Sequence, residues 1–146
     1  MRALIQRVLE AKVAVDGQIT GEIQQGLLVF LGLGKADTLE KGQKLIDKLL
    51  KYRIFDDENG KMGWSVTQAQ GGILLVSQFT LMANTQKGLR PDFSPAMPPA
   101  EAEALYQQLV DYTRLHFPQV QVGVFAADMK VHLVNDGPVT FNLEIE

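Results

Sequence analysis

Two uninterrupted apolar runs limit what this chain can fold into. Gly26 to Leu33 and Ile73 to Val76 contain no polar side chain. A strand with one solvated face alternates between apolar and polar residues, whereas an unbroken run of this length suits a strand buried on both faces. Such strands need a covering layer on each side. The 146 residues suffice for one core, and 46% hydrophobic with 21% charged residues is ordinary for a globular protein. A single domain spanning residues 1–146 is expected.

The elements around these runs follow from periodicity. Residues 3–9 read as a strand and residues 11–15 as a second strand or its continuation. Asp16-Gly17 turns the chain, and Gln18 to Ile23 return. Asp37 resembles a helix cap with Glu40 three positions on, and Leu45, Ile46, Leu49 and Leu50 form an apolar stripe opposite Lys44, Asp47, Lys48 and Lys51. This predicts a helix from about Thr38 to Tyr52. Arg53 to Phe55 read as a short strand and Asp56 to Gly60 as an exposed turn. Pro98-Pro99 open a second helix, from about Ala100 to His116, with Ala102, Leu105, Leu109 and Tyr112 on one face. Strands near Val120–Phe125, Met129–Asn135 and Val139–Ile145 complete the chain. The predicted class is α+β: a mostly antiparallel, strongly curved sheet or small β-barrel with two main helices packed on one side.

Composition removes several classes of function. No cysteine is present, so disulfides, thiol nucleophiles and thiolate metal sites are excluded. Charged residues interrupt the first fifteen positions, unlike a secretory leader, and the longest apolar run is far too short to span a bilayer. A cytoplasmic protein with no membrane partner is expected. The net charge of −3 argues against a broad grip on nucleic-acid backbone, so no DNA partner is expected, although contact with one RNA end is compatible with it.

Familiar catalytic constellations are missing. His116 and His132 lack metal-ligand neighbours at helical spacing, Ser77 has no nucleophile-elbow glycines, and Gly32-Leu33-Gly34-Lys35 is too short for a phosphate loop. The acidic clusters Asp56–Glu58 and Glu101–Glu103 fit a solvated turn and a helix start. Two stretches stand out instead. In the first, polar groups appear abruptly at the end of the second apolar run, in Ser77-Gln78-Phe79-Thr80. Ser77 or Thr80 would need a base to act as nucleophiles, and backbone N–H groups there could alternatively stabilise an oxyanion. The second is Asn135-Asp136-Gly137-Pro138-Val139-Thr140, which reads as a stiff turn between two alternating strands. Between the two stretches lies Met82 to Pro99, long and rich in Gly, Pro and polar residues, with Lys87 and Arg90 near its centre.

These motifs carry a resemblance. Ala3-Leu4-Ile5-Gln6-Arg7-Val8, Tyr52-Arg53-Ile54-Phe55, Val76-Ser77-Gln78-Phe79-Thr80-Leu81, Arg90-Pro91, Phe125-Ala126-Ala127-Asp128-Met129 and Asn135-Asp136-Gly137-Pro138-Val139-Thr140-Phe141 together resemble the bacterial D-aminoacyl-tRNA deacylases over essentially the whole chain. The resemblance implies hydrolysis of the ester between a D-amino acid and the terminal adenosine of tRNA, with no metal or cofactor. It further implies a homodimer in which Gly137 and Pro138, joined by a cis peptide, reach into the partner's site to select for handedness. There they would face Ser77, Gln78, Phe79 and Thr80. Arg7 would help hold the turn, and Phe125 and Met129 would lie against the terminal adenine. Glycyl-tRNA, including glycine mischarged on tRNA-Ala, would also be accepted, because glycine has no side chain to exclude.

Two other readings stay open at this level. One is a non-catalytic module that binds an RNA end or adenine nucleotide through the loop bearing Lys87 and Arg90. The other is a small-molecule esterase using Ser77 or Thr80 as nucleophile.

Overall fold

In the computed structural model, which describes residues 1–146, the chain runs through eight strands and two α-helices. β1 (Arg2–Val15) is its spine. Of the two readings of residues 11–15, a second strand or a continuation of the first, the continuation holds: residues 2–15 are one strand. Its first half lies antiparallel to β3 (Gly26–Gly32) and its second half to β2 (Gln18–Ile23), while β8 (Lys130–Glu144) follows the opposite edge. β3 pairs in parallel with β6 (Gly72–Ser77), and β6 in parallel with β7 (Val120–Val122). The sheet is therefore mixed: antiparallel around β1, parallel from β3 to β7. It curls almost shut, because β2 and β7, at opposite ends of the strand order, come together. A Cβ on Gly21 of β2 would stand 2.6 Å from the carbonyl oxygen of Val122 in β7, an approach that only glycine allows.

Parallel neighbours need crossover connections, and these carry the helices. α1 (Leu39–Lys51) and the small hairpin of β4 (Phe55–Asp56) with β5 (Met62–Trp64) lie between β3 and β6; α2 (Pro99–His116) lies between β6 and β7. Both apolar runs are buried on two faces, as their composition requires. Leu27, Val29, Leu31, Ile73 and Leu75 join the core shared with the helices, whereas Leu28, Leu74 and Val76 pack with Val8, Ala11 and Val13 on the other face. Each such Leu, Ile or Val contributes roughly 1.5–3 kcal/mol by leaving water.

Three local expectations are corrected. The α1 cap is Thr38, whose hydroxyl accepts from Lys41 N–H, while the Asp37 carboxylate accepts from Gly34 N–H at 2.6 Å and pairs with the Met1 ammonium at 2.9 Å. β7 stops at Val122, and Phe125 lies in the segment beyond it.

The third correction concerns the expected hairpin at Asp136-Gly137. Both halves of β8 run antiparallel to the same strand, β1. Pairing steps from Gln6↔Thr140 to Val8↔Asn135, so β8 advances five residues while β1 advances two. The Gly137–Pro138 stretch is thus a large bulge in one long strand, thrown outward opposite Arg7.

Candidate active site

The site is assembled where three parallel strands end together. After β3 come Gly34 and Lys35; β6 ends on Ser77 and is followed by Gln78 and Phe79; after β7 come Phe125 to Met129. Residues from all three exits line one cavity of about 670 Å³, closed on a further side by Phe93, Met97 and the start of α2 at Pro99 and Ala102. Carboxyl ends of parallel strands are where connecting loops diverge and leave a crevice. The parallel pairing that composition did not reveal is what brings these residues together.

Backbone bonds set the positions of the walls. Gln78 N–H donates to Leu31 O at 2.8 Å, extending the β3–β6 ladder by one step, and Phe79–Met82 then form a 3₁₀ turn closed by Leu81 N–H to Gln78 O at 3.2 Å. The N–H groups of Phe79 and Thr80 precede that first bond and lie outside the ladder. Arg2 Nη1 donates to Leu81 O at 2.7 Å and anchors the turn, which sits directly on β3: a Cβ on Gly32 would be 2.9 Å from the Leu81 Cβ. The segment before α2 is held the same way, by Lys35 N–H to Pro95 O at 3.1 Å and Met97 N–H to Leu33 O at 3.0 Å. Further out, Asn84 and Asp92 exchange backbone bonds, so the long Met82–Pro99 segment is pinned at both ends of its tip.

The lining is mostly apolar. Phe79 and Phe93 pack with ring centroids 5.1 Å apart, and Phe125 packs on Tyr106 of α2 at 5.7 Å. Tyr106 donates its hydroxyl to Leu75 O at 3.1 Å, and burial pushes its ionisation well above the ordinary tyrosine range, so it serves as a neutral strut. Thr80 lies just outside the cavity, exposed, its hydroxyl accepting from Gln78 Nε2 at 2.5 Å. The charged side chains of the lining are Lys35 and Asp128, and Asp128 is paired with Lys130 at 3.0 Å. No histidine faces Ser77: His116 packs against Tyr112 with ring centroids 4.5 Å apart and the rings tilted, and His132 lies in β8 beside Lys12. No three His, Asp or Glu side chains converge into a ligand set.

Gly137 and Pro138 stand elsewhere. Both are exposed, neither lines the cavity, and their peptide bond is cis. Gly137 has φ +127°, and a Cβ there would lie 2.7 Å from Val139 Cγ2. Arg7, whose side chain is 9% exposed, crosses beneath the bulge: its Nε donates to Asp136 O at 3.2 Å, and its Nη1 to Ile54 O at 2.9 Å and toward Asp56 Oδ1 at 3.4 Å. Leu9 and Val134 beside the bulge are exposed apolar residues. Within one chain, then, Ser77, Gln78, Phe79, Phe125 and Met129 share a cavity, while Arg7, Gly137 and Pro138 form a separate group. Lys35 and Phe93 are lining residues that sequence reading passed over. A short glycine-flanked lysine and a phenylalanine inside a polar loop were the faint signals.

The model of the D-Tyr-tRNA(Tyr) deacylase family matches residues 4–144. The chain is 82% identical over its full length to the D-aminoacyl-tRNA deacylase of Acinetobacter baumannii strain ACICU, covering 99% of that protein, and 57% identical to that of Psychrobacter sp. strain PRwf-1 across 99% of each chain. Among solved structures, a c-Myc DNA unwinding element binding protein superposes with a TM-score of 0.96 at 41% identity, over 100% of this chain and 99% of that one. A probable eukaryotic D-amino acid tRNA deacylase at 16% identity shares the fold, with a TM-score of 0.84 over 97% and 98%. A nearly closed mixed sheet with two helices, a cavity at its parallel rim, and a match spanning almost every residue lead to one assignment: this chain belongs to the D-Tyr-tRNA(Tyr) deacylase family of hydrolases.

Proposed function

We propose that the protein hydrolyses the ester joining a D-amino acid to the terminal adenosine of tRNA, and that it does so as a homodimer whose sites are completed by the partner's Gly137–Pro138 bulge. In each turnover water adds to the ester carbonyl, the bond to the ribose oxygen breaks, and that oxygen leaves as a hydroxyl. The N–H groups of Phe79 and Thr80 suit the developing oxyanion, since Gln78 N–H is already committed to Leu31. With no side-chain base beside Ser77, the neighbouring ribose 2′-hydroxyl assists the proton transfer. Phe125 and Met129 offer an apolar surface for the adenine.

One observation carries the dimeric reading. The bulge is held in place by a buried arginine, yet it lies outside the active-site cavity of its own chain and is flanked by exposed Leu9 and Val134. An anchored main-chain edge beside uncovered apolar side chains fits an element used on another molecule.

The bulge also suits the selectivity required. A side-chain pocket discriminates by only about 1–3 kcal/mol per methylene-sized difference. Sparing abundant L-aminoacyl-tRNA needs roughly 10⁴-fold, or about 5.5 kcal/mol. Main-chain carbonyls held by Arg7 can accept from the substrate α-ammonium while leaving no room for an L side chain. The gate rejects one hand and tolerates many D side chains. Glycyl-tRNA, including glycine on tRNA-Ala, has nothing to reject and is hydrolysed.

The test is release of amino acid from D-tyrosyl-tRNA and L-tyrosyl-tRNA side by side. A large excess of D over L release is expected, with glycyl-tRNA also consumed. Equal rates for the two hands would refute the assignment, and binding of uncharged tRNA without turnover would point to a non-catalytic RNA-end module.

A further inference from the structure

We infer that Lys35 is a phosphate-binding residue of the active-site cavity, receiving the phosphodiester that links the terminal adenosine to the preceding nucleotide; this rests on the tRNA-ester reading above. The cavity has two charged residues in its lining. Asp128 is neutralised by Lys130 at 3.0 Å, whereas Lys35 makes no ion pair and no side-chain hydrogen bond. Asp92 is near enough to feel the Lys35 charge, but its carboxylate is turned to Ser94, accepting from the N–H at 3.0 Å and the hydroxyl at 3.1 Å, and makes no contact pair with the lysine. A free ammonium therefore stands on the wall of a largely apolar cavity, on a chain of net charge −3. An exposed lysine without a contact partner would be unremarked elsewhere on the surface; here it is the one charged side chain of the cavity lining that makes no ion pair, where a substrate with a phosphodiester must enter.

The placement fits a nucleotide's own geometry. Lys35 leaves β3 at the same rim from which β6 sends out Ser77 to Phe79 and β7 sends out Phe125 to Met129. An adenosine seated against Phe125 and Met129, with its ester at Phe79, keeps its 5′-phosphate on that rim. The lysine backbone is fastened to Pro95 by a 3.1 Å bond, so the flexible side chain swings from a stationary base. Lysine contacts phosphate as a mobile point charge and needs no fork geometry, which suits an open mouth. Lys87 and Arg90, also without ion pairs, lie on the separate Met82–Pro99 segment, outside the cavity lining.

The experiment compares two substrates that share the reacting ester and differ in phosphate. D-tyrosyl-adenosine carries none; D-tyrosyl-tRNA carries the full backbone. For Lys35→Gln, KM for the tRNA ester is expected to rise roughly 3- to 10-fold with kcat little changed, and the dependence of log(kcat/KM) on log salt to flatten by about 0.7, the loss of one single-strand phosphate contact. Hydrolysis of D-tyrosyl-adenosine should be unaffected, and Lys35→Arg should restore the tRNA substrate. Equal losses on both substrates, or an unchanged salt slope, would overturn the assignment. Failure of the wild-type protein to release D-tyrosine from either ester would remove the underlying reading and this role with it, a result recognisable because it appears before any substitution is made.

Discussion

Arg7 Nε stands 3.2 Å from the carbonyl oxygen of Asp136, and this bond ties the Gly137–Pro138 bulge of β8 to the strand it departs from. The same guanidinium holds Ile54 O at 2.9 Å, so the bulge, β1 and the approach to the β4–β5 hairpin meet at one side chain. Lysine cannot reproduce the fork, and it would leave Ile54 O or Asp136 O short of a donor. Arg7→Lys is expected to cost about 1–3 kcal/mol of stability and to lower the D-over-L ratio together with it. Thermal melting and paired deacylation assays check both. An unaltered ratio in a destabilised variant would break the link between Arg7 and selectivity.

Gly137→Ala strikes the bulge itself. The φ of +127° is a region that L side chains rarely adopt, and the new Cβ would meet Val139 Cγ2 at 2.7 Å. The main chain must shift, at about 1–3 kcal/mol. Expected is a fall in the D-over-L ratio of roughly tenfold or more, driven by a gain on the L-substrate rather than a loss on the D-substrate. Steady-state rates on both hands measure it; a D-rate that collapses while the L-rate stays at background would contradict a gate.

Thr80 offers a cleaner discrimination between mechanisms. It lies outside the cavity, bonded to Gln78, with no base beside it. Thr80→Ala is expected to slow deacylation by no more than about tenfold, the scale of one neutral hydrogen bond. Complete loss of turnover with intact binding would assign the threonine as nucleophile, as would an acyl-enzyme trapped by rapid quench.

Tyr106 sets a limit on alkaline stability. Burial raises its ionisation above the ordinary value of 10.0, so in the folded state it stays neutral where the unfolded chain ionises. With the folded value raised, its stabilisation is complete below pH 10 and declines as pH climbs above it, by up to about 1.4 kcal/mol per pH unit. Tyr106→Phe should flatten that decline, at little cost near neutrality, because Leu75 O keeps its second donor, Gly123 N–H at 3.0 Å. Denaturant titrations from pH 8 to about pH 11 give both slopes.

Much of the architecture was legible from burial patterns alone. Leu27–Leu31 and Ile73–Val76 declared strands covered on both faces, and the stripes of α1 and α2 declared helices packed on one side. What the sequence hid was long-range. Alternation on both sides of Asp136-Gly137 is the signature of a hairpin, and nothing local reveals that both halves pair with β1. Asp37 looked like a cap because its partners, the Met1 ammonium and Gly34 N–H, are set by tertiary contact. Ser77 to Thr80 and Gly137-Pro138 stand out in the sequence as an abrupt polar strand end and a stiff turn, whereas the roles expected of them and of Arg7, Phe125 and Met129 come from motif resemblance. Lys35 and Phe93 could be placed only once the parallel rim existed.

The central claim is that one copy's bulge guards the other copy's cavity. Co-express a selectivity-defective Gly137→Ala chain with an excess of chains carrying Phe125→Ala and Met129→Ala, which keep an intact bulge but a disabled cavity. Then compare release from D- and L-tyrosyl-tRNA. If the bulge acts in trans, the mixed dimers pair a working cavity with an intact bulge, and the D-over-L ratio rises back toward that of the unaltered protein. A ratio that stays as low as that of Gly137→Ala alone would contradict the account.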